Sequence, residues 1–144
     1  MVDTNVWLAL AIPEHELHAA AMSWLVAQRG HGTVLLCRAT QQSLLRLLTT
    51  EKVMRLYQLP AMTNTAAWEY YARMLADPRV AWAAEPQGTE ARWKMLSVRP
   101  TASPKMWMDA YLAAFAMAGG HRLVTTDRAM TQFAPLDVVL LEKK

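Results

Sequence analysis

The sequence predicts an α/β domain in which helices cover both faces of a short parallel sheet. Three observations predict it. Short, continuously apolar runs recur along the chain, as suits strands buried on both faces. Stretches of helical period separate them, the alternation that joins parallel strands by crossovers. The length of 144 residues suits one domain, 1–144, large enough to hold a core without staples.

Taken in order, Met1 and Val2 leave room for only a very short first strand before Asp3. Val6 to Ile12 is apolar and stops at Pro13. Leu17, Ala20, Ala21, Trp24 and Leu25 then fall at helical spacing, which predicts a helix from Glu14 to Gln28. Arg29-Gly30-His31-Gly32 ends it. Thr33 to Cys37 reads as a strand. Thr40 can cap a helix through Thr49, with Leu44, Leu45, Leu47 and Leu48 facing a core. Thr63 or Thr65 can cap another to Ala76, and Asp77-Pro78 breaks it. Val80 to Ala83 is the third strand. Pro86-Gln87-Gly88 turns into a helix from Thr89 to Val98. Ser103-Pro104 starts a helix that runs to Met117 and ends at Gly119-Gly120. Arg122 to Thr125 and Leu136 to Leu141 complete the strands, the last expected to be apolar on both faces.

Composition narrows the class. Charged residues make up 19% and apolar ones 53%, which argues against disorder and leaves apolar surface for a partner to cover. The net charge of +3 is compatible with nucleic acid without pointing to it. The single Cys37 allows no intrachain disulfide and reads as a buried structural thiol. The early Asp3 is unlike a secretory leader, and no apolar run reaches the ~18 residues of a membrane span. The expectation is a cytoplasmic protein with no membrane contact.

In a parallel sheet, ligands bind outside the carboxyl ends of the strands. Asp3 directly follows the first strand and Asp127 follows Leu123-Val124-Thr125-Thr126, so both project from one edge. Asp109 falls in the first turns of its helix, where the dipole favours a carboxylate. Converging carboxylates repel one another unless a cation sits between them, and oxygen ligands favour Mg²⁺ or Mn²⁺. Such a cation acidifies a water and stabilises charge on phosphoryl oxygens, which is hydrolytic chemistry on a phosphodiester. Each acid also has an ordinary reading. Asp3 could open a turn, Asp109 could be a first-turn acid, and Asp127 could cap the next segment.

The residues around these acids resemble the VapC branch of the PIN-domain family. Val2-Asp3-Thr4-Asn5-Val6 resembles its opening motif, Trp107-Met108-Asp109-Ala110-Tyr111-Leu112-Ala113 its second acidic motif, and Leu123-Val124-Thr125-Thr126-Asp127-Arg128 its final Thr-x-Asp motif. Cys37-Arg38-Ala39-Thr40-Gln41 is similar to the segment that carries the family's Glu. The motifs keep the family's order and cover nearly the whole chain. The resemblance implies a PIN-like three-layer α/β/α fold. It implies a Mg²⁺- or Mn²⁺-dependent endoribonuclease toxin that cleaves RNA with a metal-activated water. It further implies a homodimer neutralised by a cognate antitoxin. Carried over by position, Asp3, Asp109 and Asp127 hold the metal, and Asn5 and Thr125 support them by hydrogen bonds.

Two departures accompany this resemblance. The family's Glu position falls on Gln41, which keeps an acceptor oxygen and loses the charge, leaving three formal negative charges rather than four. Gln41 then contributes polar contact or orients water. The first strand also lacks the apolar residues that usually precede the first acid. Either the natural start lies upstream or the strand is trimmed, and either is expected to loosen Asp3.

Two rival functions remain on the sequence. A haloacid-dehalogenase-like hydrolase would use the acid after the first strand as a nucleophile, but wants a second Asp where Asn5 stands. A PIN-like domain that binds RNA or antitoxin without cutting would suit Gln41. Arg38, Arg46, Lys105 and Arg128 fall near the expected cleft and could touch phosphates, or form surface ion pairs. Trp107 neighbours Asp109 and could wall the cleft, whereas Trp24 and Trp68 read as core. His15 and His18 lie three apart, a weak hint of zinc that a solvated helix face explains more simply. The ten Met residues are dispersed and read as adaptable core packing.

Overall fold

The computed structural model describes residues 1–143. Helices α1 (Thr4–Ala11) and α2 (His18–Ala27) precede strand β1 (Val34–Leu36). Helices α3 (Arg38–Leu48), α4 (Glu51–Arg55) and α5 (Asn64–Leu75) lead to β2 (Val80–Trp82). Helices α6 (Thr89–Ser97) and α7 (Met106–Ala118) lead to β3 (Leu123–Thr125). A 3₁₀ turn (Arg128–Gln132) then precedes β4 (Val138–Leu140).

β1 pairs in parallel with β2, and β3 in parallel with β4. The segment Met1–Asp3 joins the two pairs. Val2 bridges Val124 in parallel, and Val2 N donates to Leu35 O at 2.9 Å. Asp3 N donates to Val124 O, and Val124 N to Met1 O, both at 2.9 Å. The hydrogen-bonded order is therefore β2, β1, Met1–Asp3, β3, β4. The chain builds outward to one side, then returns and builds to the other. The order reverses between Met1–Asp3 and β3, the topological switch point where ligands bind in such sheets.

Period-two alternation separates the core into two layers. Val2, Val34, Leu36, Val80 and Val124 pack with α1 to α5 around Trp7, Leu44 and Leu48. Met1 and Leu123 pack on the other face with Phe115, Met130 and Phe133. Asp3 and Thr125 share the parity of Met1 and Leu123 and so face α7. Ala110, Ala113, Ala114 and Ala116 are all buried, letting α7 lie close to the sheet. Gly120, at φ +62°, takes the left-handed position that ends this helix, and His121 N returns to Ala116 O at 2.8 Å.

Several local expectations change. Val6 to Ile12 lies almost wholly in α1. The second helix begins at His18, not Glu14, because His15 closes a turn by accepting from Leu17 N at 3.1 Å. Thr40 lies inside α3 and not at its cap, where its hydroxyl is bonded to both the N–H and the carbonyl of Cys37. Helix α7 starts two residues after Pro104, and α4 is new. β4 is an edge strand, apolar on both faces as expected but only half-buried. Thr63 caps α5 by accepting from Ala66 N at 3.1 Å, and Cys37 is buried as expected. Trp68 and Met95 are exposed and not core. No described helix is long and apolar enough to cross a membrane.

Candidate active site

The three acids arrive on three different elements at the switch point. Asp3 ends the first strand segment and stands at the N-cap of α1. There the Thr4 and Asn5 N–H groups face its carboxylate without closing a cap hydrogen bond. Asp109 lies in the first turn of α7. Asp127 follows β3. Thr125 ties two of them together: its Oγ1 donates to Asp3 Oδ2 at 2.6 Å and accepts from Asp127 N at 3.0 Å. Thr125 is fully buried and Asp3 is 7% exposed. Asp3 is thus held on both sides and is not loosened by the short strand. Asp127 also caps the 3₁₀ turn, its Oδ1 accepting from Ala129 N at 2.8 Å, so the ordinary reading of that residue holds beside the functional one.

The acids sense one another. Burial pushes the Asp3 carboxyl above its ordinary value of 3.8, the Thr125 hydroxyl opposes this, and Asp127 adds to the rise. Asp109 is also pushed up, by burial first, then by Asp127 and Asp3, with Lys105 offsetting part. A carboxyl with a raised folded pKa favours the folded state most below its unfolded value. That advantage is lost as pH rises through the folded value. Metal-free Asp109→Asn is therefore expected to melt above wild type at neutral pH, by a small margin because Asp109 is partly exposed and its repulsion is screened by solvent. The gap should close as pH falls toward 3.8. Thermal melts with chelator across pH test this; an Asn variant less stable at pH 7 contradicts it.

Among the described residues, no three His, Cys, Asp or Glu side chains form a ready-made metal cage. Mg²⁺ needs none, because it keeps several waters and takes one or two carboxylates together with substrate phosphates. An oxygen-only set of mutually repelling acids fits a hydrated hard cation of this kind. A surface groove lies elsewhere, between α2 and the end of β4 with the residues that follow it, lined by Trp24, Leu140 and Leu141. Its carboxylates are already paired, Glu16 with Lys143 and Glu142 with Arg128, so it offers no comparable chemistry.

The other candidates sort by position. Gln41 is buried in the first turn of α3, at the carboxyl end of β1, and its Oε1 accepts from Arg38 Nη1. The Asn5 side chain is exposed, and only its backbone reaches toward Asp3. Arg128 is paired with Glu142, and Arg46 is exposed farther along α3. Lys105 immediately precedes α7 and acts on Asp109. Trp107 is 58% exposed and meets Trp93 edge-on at 6.0 Å. It lies two residues from Asp109, so the two side chains leave the helix on different faces. The histidines form no metal pair. His15 stacks on Tyr57, and His18 Nδ1 donates to Ala9 O at 2.7 Å, tying α2 to α1.

Sequence reasoning missed two contacts. Arg38 lies over the Trp82 ring at 4.4 Å, joining two residues far apart in sequence. Tyr111 Oη donates to Glu85 Oε2 at 2.6 Å, fastening α7 to the loop after β2. The available signal was that Trp82 lies near the carboxyl end of a predicted strand and Glu85 just beyond it.

Comparison with known proteins agrees with this architecture. Residues 1–135 match the PIN domain family. The chain is 51% identical over 144 residues to "Ribonuclease VapC41" of Mycobacterium tuberculosis, covering 99% of each. It is 26% identical over 147 residues to "Ribonuclease VapC39" of the same species, covering 96% of each. Among solved structures it resembles VapBC2 from Rickettsia felis bound to a DNA fragment from its promoter. That match has a TM-score of 0.64 and 12% identity, covering 99% of this chain and 98% of that one. It also resembles VapBC-1 from nontypeable Haemophilus influenzae, with a TM-score of 0.65 and 13% identity, covering 97% and 96%.

Proposed function

The chain belongs to the PIN domain family, and from that premise we propose that it is a metal-dependent endoribonuclease toxin of the VapC type, neutralised by a cognate antitoxin. The observation that supports the reading is that Asp3, Asp109 and Asp127 lie at one edge of the sheet near its switch point, within electrostatic reach of one another. The ribonuclease name of a relative at 51% identity supports RNA as substrate, and the VapBC structures support an antitoxin partner.

In this reading one domain over 1–144 acts in the cytoplasm as a homodimer. Asp3, Asp109 and Asp127 hold Mg²⁺ or Mn²⁺. The cation supplies an acidified water and charge neutralisation at the phosphoryl oxygens. The protein's own work is positional. Thr125 fixes the Asp3 carboxylate and the turn that presents Asp127, and α7 sets Asp109 against both. Burial limits the water that would screen Asp3, while Asp109 and Asp127 stay partly open to solvent. Asn5 contributes through its backbone N–H, which faces Asp3, and Gln41 through its hydrogen bond to Arg38.

The test is cleavage of total cellular RNA by the purified protein with Mg²⁺, with Mn²⁺ and with chelator. Metal-dependent cutting is expected. RNA bound and left intact under every metal condition would favour a binding-only domain, the reading that Gln41 otherwise supports.

A further inference from the structure

We propose that Arg38, clamped between Trp82 and Gln41, grips an RNA backbone phosphate flanking the cleavage point, and that Gln41 acts here as its neutral anchor. The proposal rests on the nuclease reading and names how that site holds its substrate.

Position comes first. Arg38 opens α3 just past the carboxyl end of β1, and Trp82 closes β2 at the same edge as the acids. β2 lies two strand spacings from the Met1–Asp3 segment, about 10 Å. Trp82 shares the parity of Val80 and Leu36, so the clamp stands on the α1–α5 side of that edge, off to the side of the acids, where it meets a flanking phosphate rather than the one being cut.

The clamp is the second observation. The Arg38 guanidinium lies 4.4 Å from the centre of the Trp82 ring, which is 41% exposed. Arg38 Nη1 donates to Gln41 Oε1, whose residue is only 4% exposed and therefore fixed. A guanidinium carries five N–H donors, so four remain for a ligand. Stacking and anchoring remove much of the rotamer freedom that a long side chain loses on binding.

Charge is the third. Among the described residues, Arg38 has no carboxylate partner, whereas Arg128 is paired with Glu142 and Lys105 faces Asp109. Arg46 lies eight residues on, about 12 Å along the helix. A Gln accepts the hydrogen bond without cancelling the charge. A Glu at 41 would form an ion pair and compete with phosphate for the same donors.

The experiment measures anisotropy of a short fluorescein-labelled single-stranded RNA with chelator present, using the whole chain. Arg38→Ala and Gln41→Glu should each weaken binding roughly tenfold, the scale of one charged hydrogen bond. Arg38→Lys should fall between, since it keeps the charge and loses the fork and the plane. The slope of log affinity against log salt should drop by about 0.7 in Arg38→Ala, as for one lost phosphate contact on a single strand. Gln41→Glu placed in the Arg38→Ala background should add little, because its effect runs through Arg38. With Mg²⁺, the cleavage defect of Arg38→Ala should fall mainly in KM.

Unchanged RNA binding in Arg38→Ala overturns the proposal. So does a Gln41→Glu penalty of equal size in both backgrounds. A wild type that cuts RNA while Arg38→Ala binds normally sinks this proposal alone. Arg38-dependent binding by a protein that never cuts sinks the nuclease reading and leaves the clamp standing.

Discussion

Asp3→Asn and Asp109→Asn are each expected to lower RNA cleavage by roughly a thousandfold at saturating RNA and fixed Mg²⁺. The scale follows from losing about 4 kcal/mol of the stabilisation that a bound cation gives to a phosphodiester transition state. Both substitutions keep shape and remove one negative charge. Asn at position 3 can still accept from Thr125 Oγ1, so the local fold survives. The Asp109 variant even relieves repulsion from Asp127 and Asp3. A large loss of activity with an equal or higher melting temperature separates a chemical role from a structural one. Gel-resolved cleavage beside thermal melts checks it. Retained activity in either variant would remove that acid from the site.

Thr125→Val is expected to cut activity more than tenfold and to lower the melting temperature by about 6 °C, the equivalent of roughly 2 kcal/mol. The valine keeps the volume of a fully buried side chain and deletes its hydroxyl. Asp3 Oδ2 then loses a donor, and the Asp127 N–H loses its acceptor. Buried polar groups left unpaired are costly, and here both belong to the site. The sign in pH follows. The hydroxyl holds the Asp3 carboxyl down against burial, so its loss lets that carboxyl rise farther. The acid limb of the pH–rate profile should shift to higher pH. Thr125→Ser should restore most of both properties. Equal activity in the valine variant would make the Thr125 link irrelevant to function.

The strand ends were legible because short apolar runs stop abruptly at polar residues. Asp3 and Asp127 could be placed on one edge before any fold was known, since parallel strands point their carboxyl ends the same way. Asp109 was legible as a first-turn acid. Helix α1 was not, because Val6, Trp7, Leu8 and Ala9 are all buried and no polar face breaks the run. The α2 start was obscured because His15 closes its turn through a side chain, and periodicity does not register such contacts. Trp68 followed an apolar-looking face that the fold leaves in solvent. The Thr125 link and the Arg38 clamp join residues brought together only by the sheet order. Sequence patterning marks which residues are polar and near an edge. It does not say which two will share a hydrogen bond across 122 positions.

The central claim is that three acids from three elements form one cation site. Mn²⁺ binding without RNA, followed by electron paramagnetic resonance, tests it most directly. Wild type should show a saturable site that Asp3→Asn, Asp109→Asn and Asp127→Asn each weaken or abolish. Undiminished Mn²⁺ binding in all three variants would contradict the claim.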